Sequence, residues 1–130
     1  MKPRVLYHCL QGWPPEGPNA FRWENGTLVY MLPTSSFRDD WDKSCQPPDA
    51  QWDELWRLCD QIDIWSWPAY SGDPHVKDGL QWIIRLEVGD RKVETSGQIH
   101  GSPPDYQGNL LRLHDALQRM TGWSAPERMG

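Results

Sequence analysis

A chain of 130 residues is long enough for one domain that buries roughly two-thirds of the surface its unfolded form exposes. Its 38% apolar and 24% charged residues argue against a disordered tail, and no apolar run approaches the roughly 20 residues of a membrane-spanning helix. The 13 Lys and Arg against 18 Asp and Glu give a net charge of −5, which argues against a general nucleic-acid binder and suits a protein partner with a basic or neutral surface.

The apolar stretch 5–10 is interrupted by His8 and is too short for the core of a signal peptide, so the chain reads as cytoplasmic. Cys9, Cys45 and Cys59 are odd in number and lack Cys-x-x-Cys spacing, which indicates neither a disulfide framework nor a zinc knuckle.

In chain order, 5–10 is a candidate strand, and the Pro-rich link 11–19 excludes regular structure. The string FRWENGTLVYML over 21–32 sets Asn25-Gly26 between two β-favouring runs, and Asn-Gly takes the positive φ angles of a type I′ turn, so this is a hairpin. A long polar connection, 33–48, carries Phe37, Trp41 and Cys45; connections of this length usually carry function or disorder. Asp49 is placed to cap a helix over 49–63, in which Trp52, Leu55, Trp56, Cys59 and Ile62 recur on one face. Trp65 and Trp67 then stand two apart, which on an extended segment sends both rings to one side, and 70–79 reads as a loop.

Leu80, Trp82, Ile84, Leu86 and Val88 alternate with Gln81, Ile83, Arg85 and Glu87, so the first set should face a core, and Gly89-Asp90 turns the chain into a returning strand on which Val93, Thr95, Gly97 and Ile99 alternate. Ser102, followed by Pro103, Pro104 and Asp105, is a suitable cap for a last helix with Leu110, Leu113, Leu117 and Met120 on its buried face and Gly122 as its stop. A weak internal repeat aligns Pro47-Pro48-Asp49 with Pro103-Pro104-Asp105 and Leu55–Asp60 with Leu110–Asp115, each following a hairpin. The expected fold is α+β: a two-layer sandwich of an antiparallel sheet of four to five strands with two helices on one face, in a ββα-ββα order that suggests a pseudo-repeat.

Motifs for chemistry are sparse. The four histidines show no His-x-x-x-His spacing, and there is no Gly-x-Ser-x-Gly elbow or phosphate-binding loop, so neither a metal nor a cofactor is indicated. His75, with Asp73 and Asp78 close in sequence, is the one candidate for acid–base work, although a solvated loop histidine explains it as well. His100 and His114 read as surface or structural residues, His114 falling on the charged side of the last helix.

Nine tryptophans stand beside only two Phe. Trp52, Trp56 and Trp82 fall on apolar faces and read as core. Trp65, Trp67 and Tyr70, joined by Asp78 and by Trp41 of the long connection, are the candidates for a binding surface, because rings of this kind offer large contact area at low entropy cost.

The residues Trp52-x-x-Leu55-Trp56, Trp65-x-Trp67-x-x-Tyr70, Asp78-Gly79-x-Gln81-Trp82, Ser96-Gly97 and Pro103 resemble a group of small bacterial α+β proteins that carry a Trp-x-Trp, Tyr, Asp-Gly-x-x-Trp pattern before a closing helix. The resemblance implies a fold and no reaction, cofactor or substrate; the chain departs from the pattern over 98–102, where the group has an Asn and an aromatic before the Pro. The function expected from the sequence is a non-catalytic interaction domain that binds a protein through an acidic, Trp-bearing surface, in the manner of an immunity or regulatory protein. A carbohydrate-binding module and a small enzyme using His75 are the alternatives.

Overall fold

The structure, a computed structural model, describes residues 1–12, 18–31, 43–76 and 79–123. Trp41 and Asp78 of the expected binding surface, and Trp13 and Phe37, lie outside the described residues. Ten elements follow one another: β1 (Val5–Gln11), β2 (Ala20–Glu24), β3 (Thr27–Met31), β4 (Lys43–Cys45), α1 (Asp49–Gln61), a 3-10 turn (Ile64–Ser66), β5 (Tyr70–Ser71), β6 (Gln81–Val88), β7 (Arg91–Gln98) and α2 (Tyr106–Thr121).

Among the described residues the strands make one seven-stranded sheet in the order β4-β3-β2-β1-β6-β7-β5. All neighbours are antiparallel except β5, which runs parallel to β7. The sheet is therefore larger than four to five strands, and mixed rather than wholly antiparallel. The additions, β4 and β5, are three and two residues long, too short for an alternation of apolar and polar side chains to announce them. The candidate strand at the amino terminus is the centre of the sheet, paired to β2 on one side and along its whole length to β6 on the other.

Both hairpins turn as their residues require. Asn25 and Gly26 have φ of 52° and 78°, the two positive values of a type I′ turn, and Gly89 at φ 59° supplies the single positive value of a type II′ turn. Along β6 every second residue is buried, so Trp82, Ile84, Leu86 and Val88 enter the core while Ile83 and Arg85 face out.

Both helices lie on the same face of this sheet. Phe21 and Trp23 are two apart on β2 and so share a face; Phe21 packs on His114 of α2 and Trp23 on Trp52 of α1. Leu55, Trp56 and Cys59 of α1 join Leu110, Leu113 and Leu117 of α2 in one core with the inward residues of the strands. Two layers around one core is the α+β arrangement expected. No helix among the described residues is long and apolar enough to cross a membrane.

The weak repeat does not correspond to a symmetry of the fold. Strands β2 and β6 both run antiparallel to β1, and β3 and β7 lie outside them on opposite sides. A twofold axis along β1 would exchange these hairpins but would carry one helix to the opposite face of the sheet, and an axis normal to the sheet would reverse the strands. The two hairpin–helix units are thus related as across a mirror, which no rotation reproduces. The shared Pro-Pro-Asp letters reflect common ways of beginning a helix.

The helix ends also differ from expectation. Pro48, not Asp49, occupies the N-cap of α1, without a side-chain cap, and Asp49 sits in the first turn, where its charge complements the helix dipole. Asp63 takes a left-handed conformation, φ 54°, and reverses the chain into the 3-10 turn. Residues 64–67 are therefore not an extended pair-wise display of Trp65 and Trp67. Ser102 does not cap α2, which begins at Tyr106 with Asp105 at its N-cap; its hydroxyl donates instead to the Gln98 carbonyl at 2.6 Å. Gly122 ends α2 as expected, left-handed at φ 73°.

Candidate functional site

The aromatic residues divide into two strings, and these fix where each sequence-predicted ring lies. Trp23, Trp52, Trp56 and Trp65 follow one another along α1, with centroids 5.3, 5.9 and 6.5 Å apart. Trp82, Trp67 and Tyr106 form the second string under the start of α2, where Trp67 and Tyr106 stack at 3.8 Å with planes 2° apart.

Trp67 is 8% exposed, so its ring belongs to the core and not to a docking surface. Trp65 is half-buried: its Nε1–H donates to Asp60 Oδ1 at 2.7 Å, and the Arg91 guanidinium lies over its ring at 5.2 Å while also bonding the same carboxylate oxygen at 2.6 Å. Tyr70, at 49% exposure, stands on the far edge strand. The three residues that sequence spacing grouped are thus placed in three settings. Within the resemblance pattern, Trp52, Leu55, Trp56, Trp67 and Trp82 are buried together in the core, which makes those positions fold-determining.

His75 is exposed, and it is its backbone N–H that donates to Asp73 Oδ1 at 2.9 Å. The carboxylate is engaged in a local turn and does not orient the imidazole, as a base would need. Among the described residues no group of three or more His, Cys, Asp or Glu side chains is arranged to hold a metal ion.

His8 and His114, neither of them a candidate for chemistry in the sequence, are buried. His8 of β1 and His114 of α2 meet at 3.3 Å, Nε2 to Nδ1. His114 does not lie on the charged side of its helix; it faces the sheet beside Leu113 and Leu117 in the buried set. Burial, reinforced by the His114 ring, holds His8 well below the usual histidine range, and burial brings His114 down to about 4. Both rings are neutral at neutral pH, which suits packing better than proton transfer. Cys59 is equally inert, its thiol pushed up to about 12 by burial.

Two of the concave surfaces among the described residues are large enough to consider as sites. One is a groove of about 390 Å³ between the helices. Leu58, Ala116 and Met120 give it apolar walls, and Glu54, Arg112 and Arg119 line it with charge. Arg119 is tied to Asp115 at 2.7 Å across one helical turn. Along α1 the exposed Asp49, Asp53, Glu54 and Asp60 outnumber Arg57, with Asp53 paired to the terminal ammonium and Asp60 to Arg91, each at 2.6 Å.

The other is a cleft of about 290 Å³ on the helix-free face of the sheet. Register fixes its floor: Gln11, Gln81 and Gln98 stand in one row across β1, β6 and β7, and Cys9, Ile83 and Ser96 in the next. Tyr70, opposite Ser96 on β5, and Pro74 form its wall. The wall stands close because two glycines permit it. A Cβ at Gly97 would overlap the Ser71 carbonyl oxygen, and one at Gly72 would overlap the Gln98 carbonyl oxygen. Sequence reasoning selected Tyr70 but not the glutamines, which look like ordinary solvent-facing strand positions until the register brings them side by side.

No protein-family model and no curated protein matches the chain.

Proposed function

We propose that this chain is a non-catalytic binding domain that docks a protein partner on the outer side of its two helices. The observation that supports this reading best is the interhelical groove, whose apolar Leu58, Ala116 and Met120 lie beside the acidic exposed side of α1. A groove of this kind accepts the apolar stripe of an amphipathic segment, and the carboxylates beside it favour a partner with basic or neutral surface by speeding encounter and setting orientation. Trp65 stands at the carboxyl end of the same acidic stretch. The engagement of Asp73 by a backbone N–H, rather than by the His75 ring, weighs against the small-enzyme alternative.

The experiment is capture of partners by the tagged protein from its own source's lysate, followed by native mass spectrometry at low and moderate salt. A stoichiometric protein partner is expected, weakened as salt rises and lost from an Asp49→Lys, Glu54→Lys double variant that retains its fold. A lone monomer or homo-oligomer, or a partner indifferent to the charge reversal, would overturn the reading.

A further inference from the structure

The cleft on the opposite, helix-free face has a chemistry of its own. We infer that it is a second binding site, for a single neutral sugar ring, independent of the helical surface.

Neighbouring strands stand about 4.8 Å apart, so Gln11, Gln81 and Gln98 present three carboxamides at regular spacing along one row. Each carboxamide both donates and accepts hydrogen bonds, which is the complement a hydroxyl requires, whereas an ionic ligand is matched by fixed charge of opposite sign. The described lining consists of carboxamides, hydroxyls, a thiol and apolar groups. In a chain with 24% charged residues, a concave surface built in this way is selective for uncharged, hydroxyl-bearing molecules.

Gln98 supplies the second observation. It is 3% exposed, its Nε2–H donates to the Tyr70 hydroxyl oxygen at 3.4 Å, and its Oε1 has no hydrogen-bond partner among the described residues. A buried acceptor without a donor is unfavourable. A hydroxyl donated by a ligand seated on this row would relieve it once the amide turns toward the cleft.

The wall supplies the third. Tyr70 and Ile83, at 49% and 44%, are with Met1 the most exposed large apolar side chains among the described residues, and both line this cleft with Pro74. A sugar ring has an apolar C–H face and a hydroxyl edge, and the cleft offers an aromatic and aliphatic wall beside a carboxamide floor. Its volume of about 290 Å³ lies at the small end of ligand pockets, fitting one ring and not an extended oligosaccharide. That ring is either a free monosaccharide or the terminal residue of a glycan.

The test is a titration of the ¹⁵N-labelled full chain with glucose, galactose, mannose and N-acetylglucosamine, with oligosaccharides ending in each, and with glucuronate and glucosamine as charged analogues. At least one neutral sugar is expected to shift the side-chain amide signals of Gln11, Gln81 and Gln98, and the charged analogues to bind about tenfold more weakly. Tyr70→Ala, at an exposed position, is expected to weaken binding about tenfold with the backbone spectrum retained, and Gln98→Leu to do the same where it folds. An oligosaccharide binding about tenfold more tightly than its terminal sugar identifies a glycan end, and equal binding identifies the free sugar. The proposal is overturned if no neutral sugar moves these amides, if the charged analogues bind as well, or if Tyr70→Ala binds as the parent does. The Asp49→Lys, Glu54→Lys variant should titrate unchanged, so failure on one face is separable from failure on the other.

Discussion

His8 Nε2 and His114 Nδ1 lie 3.3 Å apart between the central strand and the last helix, with the Phe21 ring against both imidazoles. The unfolded chain protonates each ring near pH 6.5, whereas the folded chain holds His8 well below that value and His114 at about 4. Below pH 6.5 the unfolded state therefore binds more protons, and stability falls as pH falls. Each imidazole contributes about 1.4 kcal/mol per pH unit, and the His114 part ceases near pH 4. Urea unfolding midpoints measured from about pH 7.5 down to pH 5 should show this loss, and His114→Gln should reduce the slope by about half. A slope unchanged by that substitution would remove the pair from the account.

The stack of Trp67 on Tyr106 joins the segment after α1 to the first turn of α2. Trp67→Ala should cost about 3–5 kcal/mol, the range for emptying a large aromatic site in a core. Tyr106→Leu should cost about 1 kcal/mol beyond the loss of buried area, because it removes the ring pairing alone. Chemical denaturation checks both. If Trp67→Ala is nearly neutral, the ring is a surface group after all.

Patterning carries information where one face of an element is buried or a turn needs a rare backbone conformation. Leu80 to Val88 were legible because a strand with one buried face must alternate, and Asn25-Gly26 because few residues accept two positive φ angles. The two-residue spacing of Trp65 and Trp67 misleads because Asp63, in a left-handed conformation, turns the chain into a 3-10 turn where side chains no longer alternate. His114 was misread because a neutral imidazole packs as an apolar ring, which no polarity scale anticipates. The glutamine row was invisible because it depends on the register of β1 against β6 and of β6 against β7, and register is a long-range property.

Gly97 tests how the wall of the cleft is held. Gly97→Ala would drive a methyl into the Ser71 carbonyl, and the expected loss is about 1–3 kcal/mol, as for overpacked sites. The strain falls on β5, so the Ser96 N–H, which donates to the Ala69 carbonyl at 3.0 Å, should exchange with solvent sooner than the amides of β1 and β6. Uniform protection across the sheet in the variant would show that β5 is not a separate unit.

The thiols of Cys45 and Cys59 should report burial in order. Cys9 and Cys59 are buried and Cys45 is intermediate, its Sγ–H donating to the Met120 carbonyl at 3.7 Å. Burial raises the Cys45 thiol and takes Cys59 to about 12, and only a thiolate attacks a disulfide reagent at an appreciable rate. In the native state an aromatic disulfide reagent should therefore modify Cys45 slowly but before Cys59, which reacts only as the chain unfolds. Peptide mapping after partial modification identifies the site. Early modification of Cys59 would mean that α1 separates from the sheet in an opening far less costly than global unfolding, because that thiol faces the same core as Leu55 and Trp56.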